Sequence, residues 1–160
     1  MDKFIIIIVF SILSPFVTLG QELELQYEFL FDLTATLDKP IKIGQTPFGE
    51  REIYPVTGGS ISGPNIKGKV LANGGDWLTR VDSTTSKLDV RAVAETEDGE
   101  LIYTYYEGFI HFNADGTYYF RTNPVFQTSS EKYKWLNHTI AVGVGKLTDT
   151  GVTYKVYAIK

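Results

Sequence analysis

The fold is decided by residues 23–37, which read LELQYEFLFDLTATL. Apolar and polar side chains alternate along this segment, and Leu30 is the one residue out of step. Alternation with a period of two predicts a β-strand that buries one face. At about 3.3 Å per residue such a strand would span roughly 50 Å, so it must bend or coil as barrel strands do.

Short strand-like segments separated by turn signals make up most of the remaining chain. We predict strands at residues 66–71, 77–81, 88–96, 101–110, 117–122, 139–147 and 152–159. Asp98-Gly99 lies between two of them and predicts a hairpin. Residues 129–136 are the one segment able to form a helical turn, and the glycines at Gly58-Gly59 and Gly63-Pro64 predict bends or tight turns rather than a phosphate-binding loop.

These patterns predict an all-β fold, a single antiparallel β-barrel with a small lumen and little or no helix. The last strand alternates regularly through Val152, Tyr154, Val156 and Ala158, so we expect it to pair with the first strand and close the barrel. Closure removes the exposed strand edges that promote aggregation. A small barrel either packs its interior with side chains or holds one small ligand.

The N-terminus has the order of features found in a signal peptide. Lys3 precedes an apolar run over residues 4–13, and small residues follow at Thr18-Leu19-Gly20. The run is too short to span a membrane, so we expect no membrane insertion after its removal. We predict a signal peptide at residues 1–20, a barrel domain at residues 21–160, and a protein that is secreted, or periplasmic if bacterial.

Composition excludes several function classes. The formal net charge is -4, which disfavours nucleic acid as a partner because phosphate binding requires a basic face. The chain has no cysteine, so disulfides and thiolate chemistry are excluded. His111 and His138 lack partners at ligand spacing, so we expect neither a metal nor another cofactor.

Charged and aromatic side chains inside the predicted strands are candidates for a site. Asp76 precedes Trp77, Glu107 follows a tyrosine-rich run that includes Tyr103, and Arg121 follows Tyr119 and Phe120. Asp89 and Arg91 share one face of their strand. If these side chains face the lumen, burial must pair their charges and shift their pKa values; if they face solvent, they are ordinary surface charges. Leu88 and Val90 can equally form the inward face, which would place Arg91 outside.

A set of ordered motifs carries a family resemblance. They are Gly49-Glu50-Arg51, residues 55–59, Asn73-Gly74-Gly75-Asp76-Trp77, Leu88-Asp89-Val90-Arg91, residues 95–99, Tyr119-Phe120-Arg121-Thr122, Tyr133-Lys134-Trp135-Leu136-Asn137 and Val142-Gly143-Val144-Gly145. Together they resemble domain-of-unknown-function family 3237, also called uncharacterised protein family 0311, over nearly all of residues 21–160. The resemblance implies a β-barrel, whereas the general role of that family is not established.

The resemblance also implies candidate positions. Asp76, Arg91, Arg121, Trp135 and Asn137 match motif positions of the family, which favours the inward orientation of Arg91 and Arg121. Many members carry a longer insertion between the equivalents of Gly108 and Tyr119, and this chain has a short loop there. Asn137-His138-Thr139 is in addition an N-glycosylation sequon, which matters only in a eukaryote.

The function that these candidates favour is a cofactor-independent small-molecule enzyme of the isomerase, lyase or cyclase type, acting on an apolar or aromatic metabolite in the lumen. Asp76 would be the acid or base, Arg91 and Arg121 would stabilise negative charge, and Tyr119 would donate a hydrogen bond. The expected ligand-binding residues are Trp77, Tyr103, Glu107, Trp135 and Asn137. The alternatives are a non-catalytic, lipocalin-like ligand-binding barrel and a solid barrel that acts through its surface. Whether the chain forms a homo-oligomer stays open.

Overall fold

The computed structural model describes residues 24–160, and the predicted signal peptide at residues 1–20 lies outside this part of the chain. The described part contains eleven strands and one short 3₁₀-helix. The strands are β1 (Tyr27–Leu37), β2 (Ile41–Thr46), β3 (Gly49–Ser62), β4 (Lys67–Val70), β5 (Gly75–Arg80), β6 (Thr85–Thr96), β7 (Leu101–Phe112), β8 (Tyr118–Thr122), β9 (Val125–Gln127), β10 (Ala141–Thr148) and β11 (Gly151–Ile159), and the 3₁₀-helix is Lys134–His138.

The sheet closes on itself as an antiparallel barrel. Eight strands form the ring in the order β6, β5, β3, β1, β11, β10, β8 and β7, and β7 pairs with β6 to complete it. The predicted pairing of the first and last long strands is confirmed, because β1 and β11 pair from Tyr27 with Ile159 to Thr36 with Gly151. β4 bridges β3 and β6, whereas β2 extends from β3 and β9 extends from β7.

A β-bulge in β1 explains the irregular residue in its pattern. The register with β11 shifts between Phe29 and Phe31, and Leu30 is the extra residue. Beyond the bulge, Phe31 and Ala35 are buried in the barrel. Before it, the rings of Tyr27 and Phe29 pack on Tyr157, and Tyr27 is largely exposed. The alternation therefore predicts the strand correctly but not the facing of its first residues, since the bulge changes the face on which the apolar residues lie.

The longest strand, β3, passes through glycines that resemble a turn in the sequence. Gly58 and Gly59 have φ of +150° and +147° and lie where the register with β1 shifts. A Cβ at Gly59 would lie 1.9 Å from the Thr34 carbonyl oxygen, so only glycine fits. The pair is therefore a bend within one strand, and this bend lets β3 pair with β5 and β2 at one end and with β1 and β4 at the other.

The predicted hairpin and the predicted helical turn are both present, whereas three strands are not evident from the sequence pattern. Asp98-Gly99 forms the turn of the hairpin between β6 and β7, with Gly99 at φ +84°. The predicted helical turn is present as the 3₁₀-helix, displaced towards the C-terminus. Sequence reasoning missed β2, β3 and β9.

One half of the barrel is solidly packed, and we call it the packed half. Its core residues are Phe31, Ile61, Ile66, Ala94, Ile102, Phe126 and Leu136, and the space left between them is about 20 Å³. The 3₁₀-helix closes this end, with Leu136 only 1% exposed. The Asp98 carboxylate holds the preceding loop by accepting hydrogen bonds from Lys132 and Tyr133 at 2.6 and 3.0 Å.

Candidate functional site

The other half of the barrel, which we call the hollow half, contains a cavity of about 360 Å³. The cavity opens where the end of β1, the end of β7 and the β10–β11 hairpin meet. Its apolar lining is Leu37, Leu78, Leu88, Ile110, Phe112, Leu147 and Val152, and its charged and polar lining includes Asp38, Tyr54, Asp76, Arg80, Ser86 and Asp149. A partly apolar cavity with a few converging polar groups is the usual form of a small-molecule site.

Asp76 is the buried carboxyl group of this cavity. The residue is 7% exposed, and β5 directs it inward together with Leu78 and Arg80. Burial raises the pKa of Asp76 to about 7, although the backbone N–H of Asp89 donates a hydrogen bond to its Oδ1 at 3.1 Å and lowers the pKa in part. Within residues 24–160 this is the one hydrogen bond that the carboxyl group makes, so Oδ2 is available to a molecule in the cavity.

A second polar cluster lies in the wall beside Asp76. Glu52 is buried on β3, and its Oε2 accepts hydrogen bonds from the Tyr54 hydroxyl and from Arg80, both at 3.1 Å. Arg80 also lies 3.8 Å from Glu50. Burial raises the pKa of the Tyr54 hydroxyl, and its hydrogen bond to Glu52 raises it further, so Tyr54 stays protonated at neutral pH.

Strand register places these groups in one layer of the barrel. Tyr54 is paired with Asp76, Asp76 with Val90, and Val90 with Tyr106, across four neighbouring strands. Tyr106 packs on Tyr154 with ring centroids 5.8 Å apart. Burial raises the pKa values of both tyrosine hydroxyls, and the negative charge of Asp76 contributes to each shift. This layer therefore combines protonated tyrosines with one titrating carboxyl group, and Tyr54 and Asp76 are its members that line the cavity.

Arg91 does not reach this cavity. Its guanidinium lies 2.9 Å from Asp89 and 5.4 Å from the centre of the Trp77 ring, on the outer surface. Leu88 and Val90 are the inward residues of β6, as the alternative interpretation of that strand allows. The expected inward orientation of Arg91 is therefore wrong, and Trp77 is also directed outward because it alternates with Asp76.

Arg121 and Tyr119 also lie outside the barrel. Phe120 and Thr122 are the buried residues of β8, so their neighbours point outward, and Arg121 stacks on Tyr119 at 5.0 Å. The inward orientation expected for Arg121 is wrong for the same reason of strand alternation.

Two further predicted ligand-binding residues, both on β7, face outward. Tyr103 packs beside Tyr105, with ring centroids 5.9 Å apart. Glu107 forms an ion pair with Lys87 at 2.9 Å. Neither residue lines the cavity of the hollow half.

The two predicted residues on the 3₁₀-helix are at the opposite end of the barrel from Asp76. Trp135 is 37% exposed. The Asn137 side chain accepts a hydrogen bond from the Thr128 N–H at 2.8 Å and donates one to the Thr128 carbonyl at 2.9 Å. Asn137 therefore braces the loop after β9, and the nitrogen that a glycan would use is engaged in that brace. Glycosylation of the sequon stays a prediction.

The residues that sequence reasoning missed are Glu52, Tyr54 and Arg80. Glu52 and Tyr54 are two apart in a strand and share a face with Val56, a period-two signal hidden by the prolines and glycines that follow. Arg80 is four residues after Asp76 on the same strand and therefore on the same face. Their meeting depends on the pairing of β3 with β5, which no local pattern reveals.

Metal-ligating groups and membrane-spanning helices were sought in the part of the chain that the structure describes. No group of three or more His, Cys, Asp or Glu side chains there is arranged to hold a metal ion. None of the described helical residues form a segment with the length and hydrophobicity of a membrane-spanning helix.

The fold and the cavity define a class, antiparallel β-barrels with a partly polar internal pocket. The sequence matches the family described as protein of unknown function (DUF3237) over residues 25–159. It is also 37% identical to a UPF0311 protein from Clostridium acetobutylicum, in an alignment covering 85% of this chain and 95% of the relative. The chain belongs to this family, as its motifs predict.

Solved structures support the same assignment. A β-barrel-like protein from Acinetobacter baumannii aligns with a TM-score of 0.82 and 34% identity, covering 86% of this chain and 97% of that one. One relative has a named activity: a hydroalkoxylation enzyme from Penicillium herquei is 34% identical over 117 residues, which cover 72% of this chain and 71% of the relative. An enzyme structure from the same fungus aligns with a TM-score of 0.72 and 27% identity, covering 88% of this chain and 98% of that one.

Proposed function

We propose that this protein is a cofactor-independent enzyme of the lyase or cyclase type, which transfers protons to and from a small apolar or aromatic molecule in the hollow half. The observation that carries the proposal is Asp76, a buried carboxyl group that lines the cavity and has a pKa of about 7. A group that titrates near the operating pH is efficient as both acid and base. The similarity to a hydroalkoxylation enzyme supports the same chemistry.

The reaction class follows from the proton that Asp76 holds. Hydroalkoxylation adds an O–H group across a carbon–carbon double bond, so the carbon must receive a proton while the oxygen loses one. The neutral Asp76 carboxyl group is suited to protonate the carbon, and the apolar side chains Leu78, Leu88 and Ile110 beside it exclude water from the resulting cation. The reverse elimination uses the same groups with Asp76 ionised.

The substrate class follows from the lining. The cavity is large enough for a compact one- or two-ring molecule, and seven apolar side chains contribute to its wall. The same apolar wall favours a second candidate, a lipocalin-like carrier that binds such a molecule without changing it. The carrier does not require the proton of Asp76, which separates the two candidates. The solid-barrel alternative predicts no ligand-sized cavity and applies only to the packed half.

The test is turnover by the purified protein and by two matched variants. Wild type, Asp76→Asn and Asp32→Asn are incubated with a metabolite extract of the source organism, and chromatography detects products, including those of unchanged mass. We expect a product from wild type and from Asp32→Asn, whose altered side chain is exposed beside Lys155 and does not line the cavity. We expect Asp76→Asn to be slower by about 10²- to 10⁴-fold.

Two other outcomes would contradict the proposal. Equal turnover by wild type and Asp76→Asn would refute the assignment of Asp76. A molecule that stays bound and unaltered in native mass spectrometry would establish the carrier instead.

We further propose that the protein is exported after removal of residues 1–20. Lys3 and the apolar residues that follow it support this. The mass of the protein recovered outside the cytoplasm should correspond to a chain that begins at Gln21. Recovery of the uncleaved chain in the cytoplasm alone would contradict this proposal.

A further inference from the structure

Tyr54 is the polar neighbour of Asp76 in the hollow half. The two residues are directly paired across β3 and β5, and both line the cavity. Side chains of directly opposed residues lie about 5 Å apart at Cβ, so one small molecule can contact both. A reaction that adds O–H across a double bond needs two proton-handling groups, one for the carbon and one for the oxygen. Asp76 accounts for the first of these.

The contacts of Tyr54 suit it to the second role. Its hydroxyl donates to Glu52 Oε2 at 3.1 Å, so the lone pairs of its oxygen remain able to accept a hydrogen bond from a substrate hydroxyl. Glu52 is 4% exposed, and Arg80 holds the same Oε2 at 3.1 Å. A carboxylate this buried requires compensation, which the guanidinium supplies. The cluster therefore keeps a proton acceptor behind Tyr54.

We propose that Tyr54 and Glu52 form a relay that binds the substrate hydroxyl and removes its proton, which makes Tyr54 a catalytic residue and Arg80 a positioning residue. The relay rests on the proposed function and specifies its substrate as a molecule that carries a hydroxyl group and a double bond. As the new C–O bond forms, the hydroxyl proton passes to Tyr54 Oη and the proton of Tyr54 passes to Glu52. Asp76 gives its proton to the other alkene carbon. The cycle closes when Glu52 returns its proton to Tyr54 Oη, which passes a proton through water in the emptied cavity to Asp76.

Catalysis by the relay is separable from catalysis by Asp76. The probe for ring closure is 2-(3-methylbut-2-enyl)phenol, which has both functional groups, and chromatography follows the cyclic ether. The second probe is its methyl ether, which has no hydroxyl proton, and mass spectrometry follows deuterium uptake into the alkene from D₂O. We expect Tyr54→Phe to slow ring closure by about 10²-fold or more and to change deuterium uptake less than about threefold.

The variant Glu52→Gln should behave like Tyr54→Phe, because an amide keeps the shape of the side chain but cannot accept the proton. Asp76→Asn should slow both reactions by about 10²-fold or more. Equal loss of both reactions in Tyr54→Phe, or the loss of neither, would overturn the relay. If wild type transforms neither probe, that result counts against the proposed reaction, and the binding measurement below still decides the role of Tyr54 in holding the hydroxyl.

Binding is measured with 4-fluorophenol and fluorobenzene, which differ in the hydroxyl group alone, by fluorine NMR. We expect wild type to prefer 4-fluorophenol by about five- to tenfold, as one added hydrogen bond allows. Tyr54→Phe should bind 4-fluorophenol and fluorobenzene about equally. The preference should persist in Tyr105→Phe, a matched control on the outer surface. Thermal unfolding verifies that each variant is folded. A wild type without the preference, or a Tyr54→Phe variant that keeps it, would overturn the inference.

Discussion

The two halves of the barrel use the same strands for different purposes. In the packed half, side chains from β1, β3, β6 and β7 interlock around Leu136 and leave about 20 Å³ of space. In the hollow half, the continuations of β1, β3, β6 and β7 leave about 360 Å³, and β5 directs a titrating carboxyl group into this space. Every buried methylene in the first half contributes to stability. The second half instead holds a buried ionisable group, which costs stability and is typical of a functional site.

The largest effect on stability is expected in the packed half. Leu136→Ala removes a side chain that is 1% exposed and leaves a void among the apolar residues of the packed core, so the free energy of unfolding should fall by about 3–5 kcal/mol. Leu78→Ala, in the wall of the hollow half, is the matched control. It should cost less, because it enlarges an existing cavity. Urea denaturation measures both, and a Leu78→Ala variant at least as destabilised as Leu136→Ala would remove the distinction between the halves.

The next effect is a dependence of stability on pH that originates in the hollow half. The raised pKa of Asp76 means that the folded protein binds its proton more tightly than the unfolded chain does. The contribution of Asp76 to stability is therefore full below about pH 4 and is lost as the pH rises to about 7. The rise of the Asp76 pKa from its ordinary value to about 7 corresponds to roughly 4 kcal/mol.

Asp76→Asn should remove this contribution, so the variant should be more stable than wild type at pH 8 and gain nothing at pH 4. Urea denaturation of both proteins at the two pH values measures the difference. A variant that is destabilised equally at pH 4 and pH 8 would show that Asp76 is a structural residue with an ordinary pKa.

The smallest effect is expected on the outer surface, where neither half is involved. Arg121→Met removes a stacking contact with Tyr119 and a hydrogen bond to the Phe120 carbonyl, at a cost of about 1 kcal/mol or less. Turnover should stay within about threefold of wild type, because Arg121 does not line the cavity. The assay is the extract incubation used for Asp76→Asn. Abolished turnover in a folded Arg121→Met protein would move the site to the outer face of β8.

The parts of the fold that depend on local patterns can be predicted from the sequence. The regular alternation of β11 and the Asp98-Gly99 turn each determine their own structure, and the closing pair follows from two unusually regular strands. The pattern does not reveal strand β3, because Gly58-Gly59 resembles a turn in the sequence, whereas in the structure it is a bend within one continuous strand. Leu30 is recognisable in the sequence as an irregularity in the alternation. The pattern does not show whether the apolar residues before Leu30 or those after it face the interior of the barrel.

The site was predicted only at Asp76. The alternating patterns around Arg91 and Arg121 are compatible with either an inward or an outward orientation of the arginine. In the structure the apolar neighbours Leu88, Val90 and Phe120 are buried inside the barrel, so both arginines point outward. Glu52 and Arg80 are 28 residues apart and meet only through sheet pairing. A buried ion pair of this kind leaves no local signal, because each member looks like a surface charge in the sequence.

The central claim is that the hollow half holds a carboxyl group tuned for proton transfer, and the most direct measurement is a titration of Asp76 itself. Carbon-13 NMR of the side-chain carboxyl group, assigned by comparison with Asp76→Asn, gives its midpoint in the folded protein. The account predicts a midpoint near pH 7. A midpoint near pH 4, the value of an exposed aspartate, would contradict it.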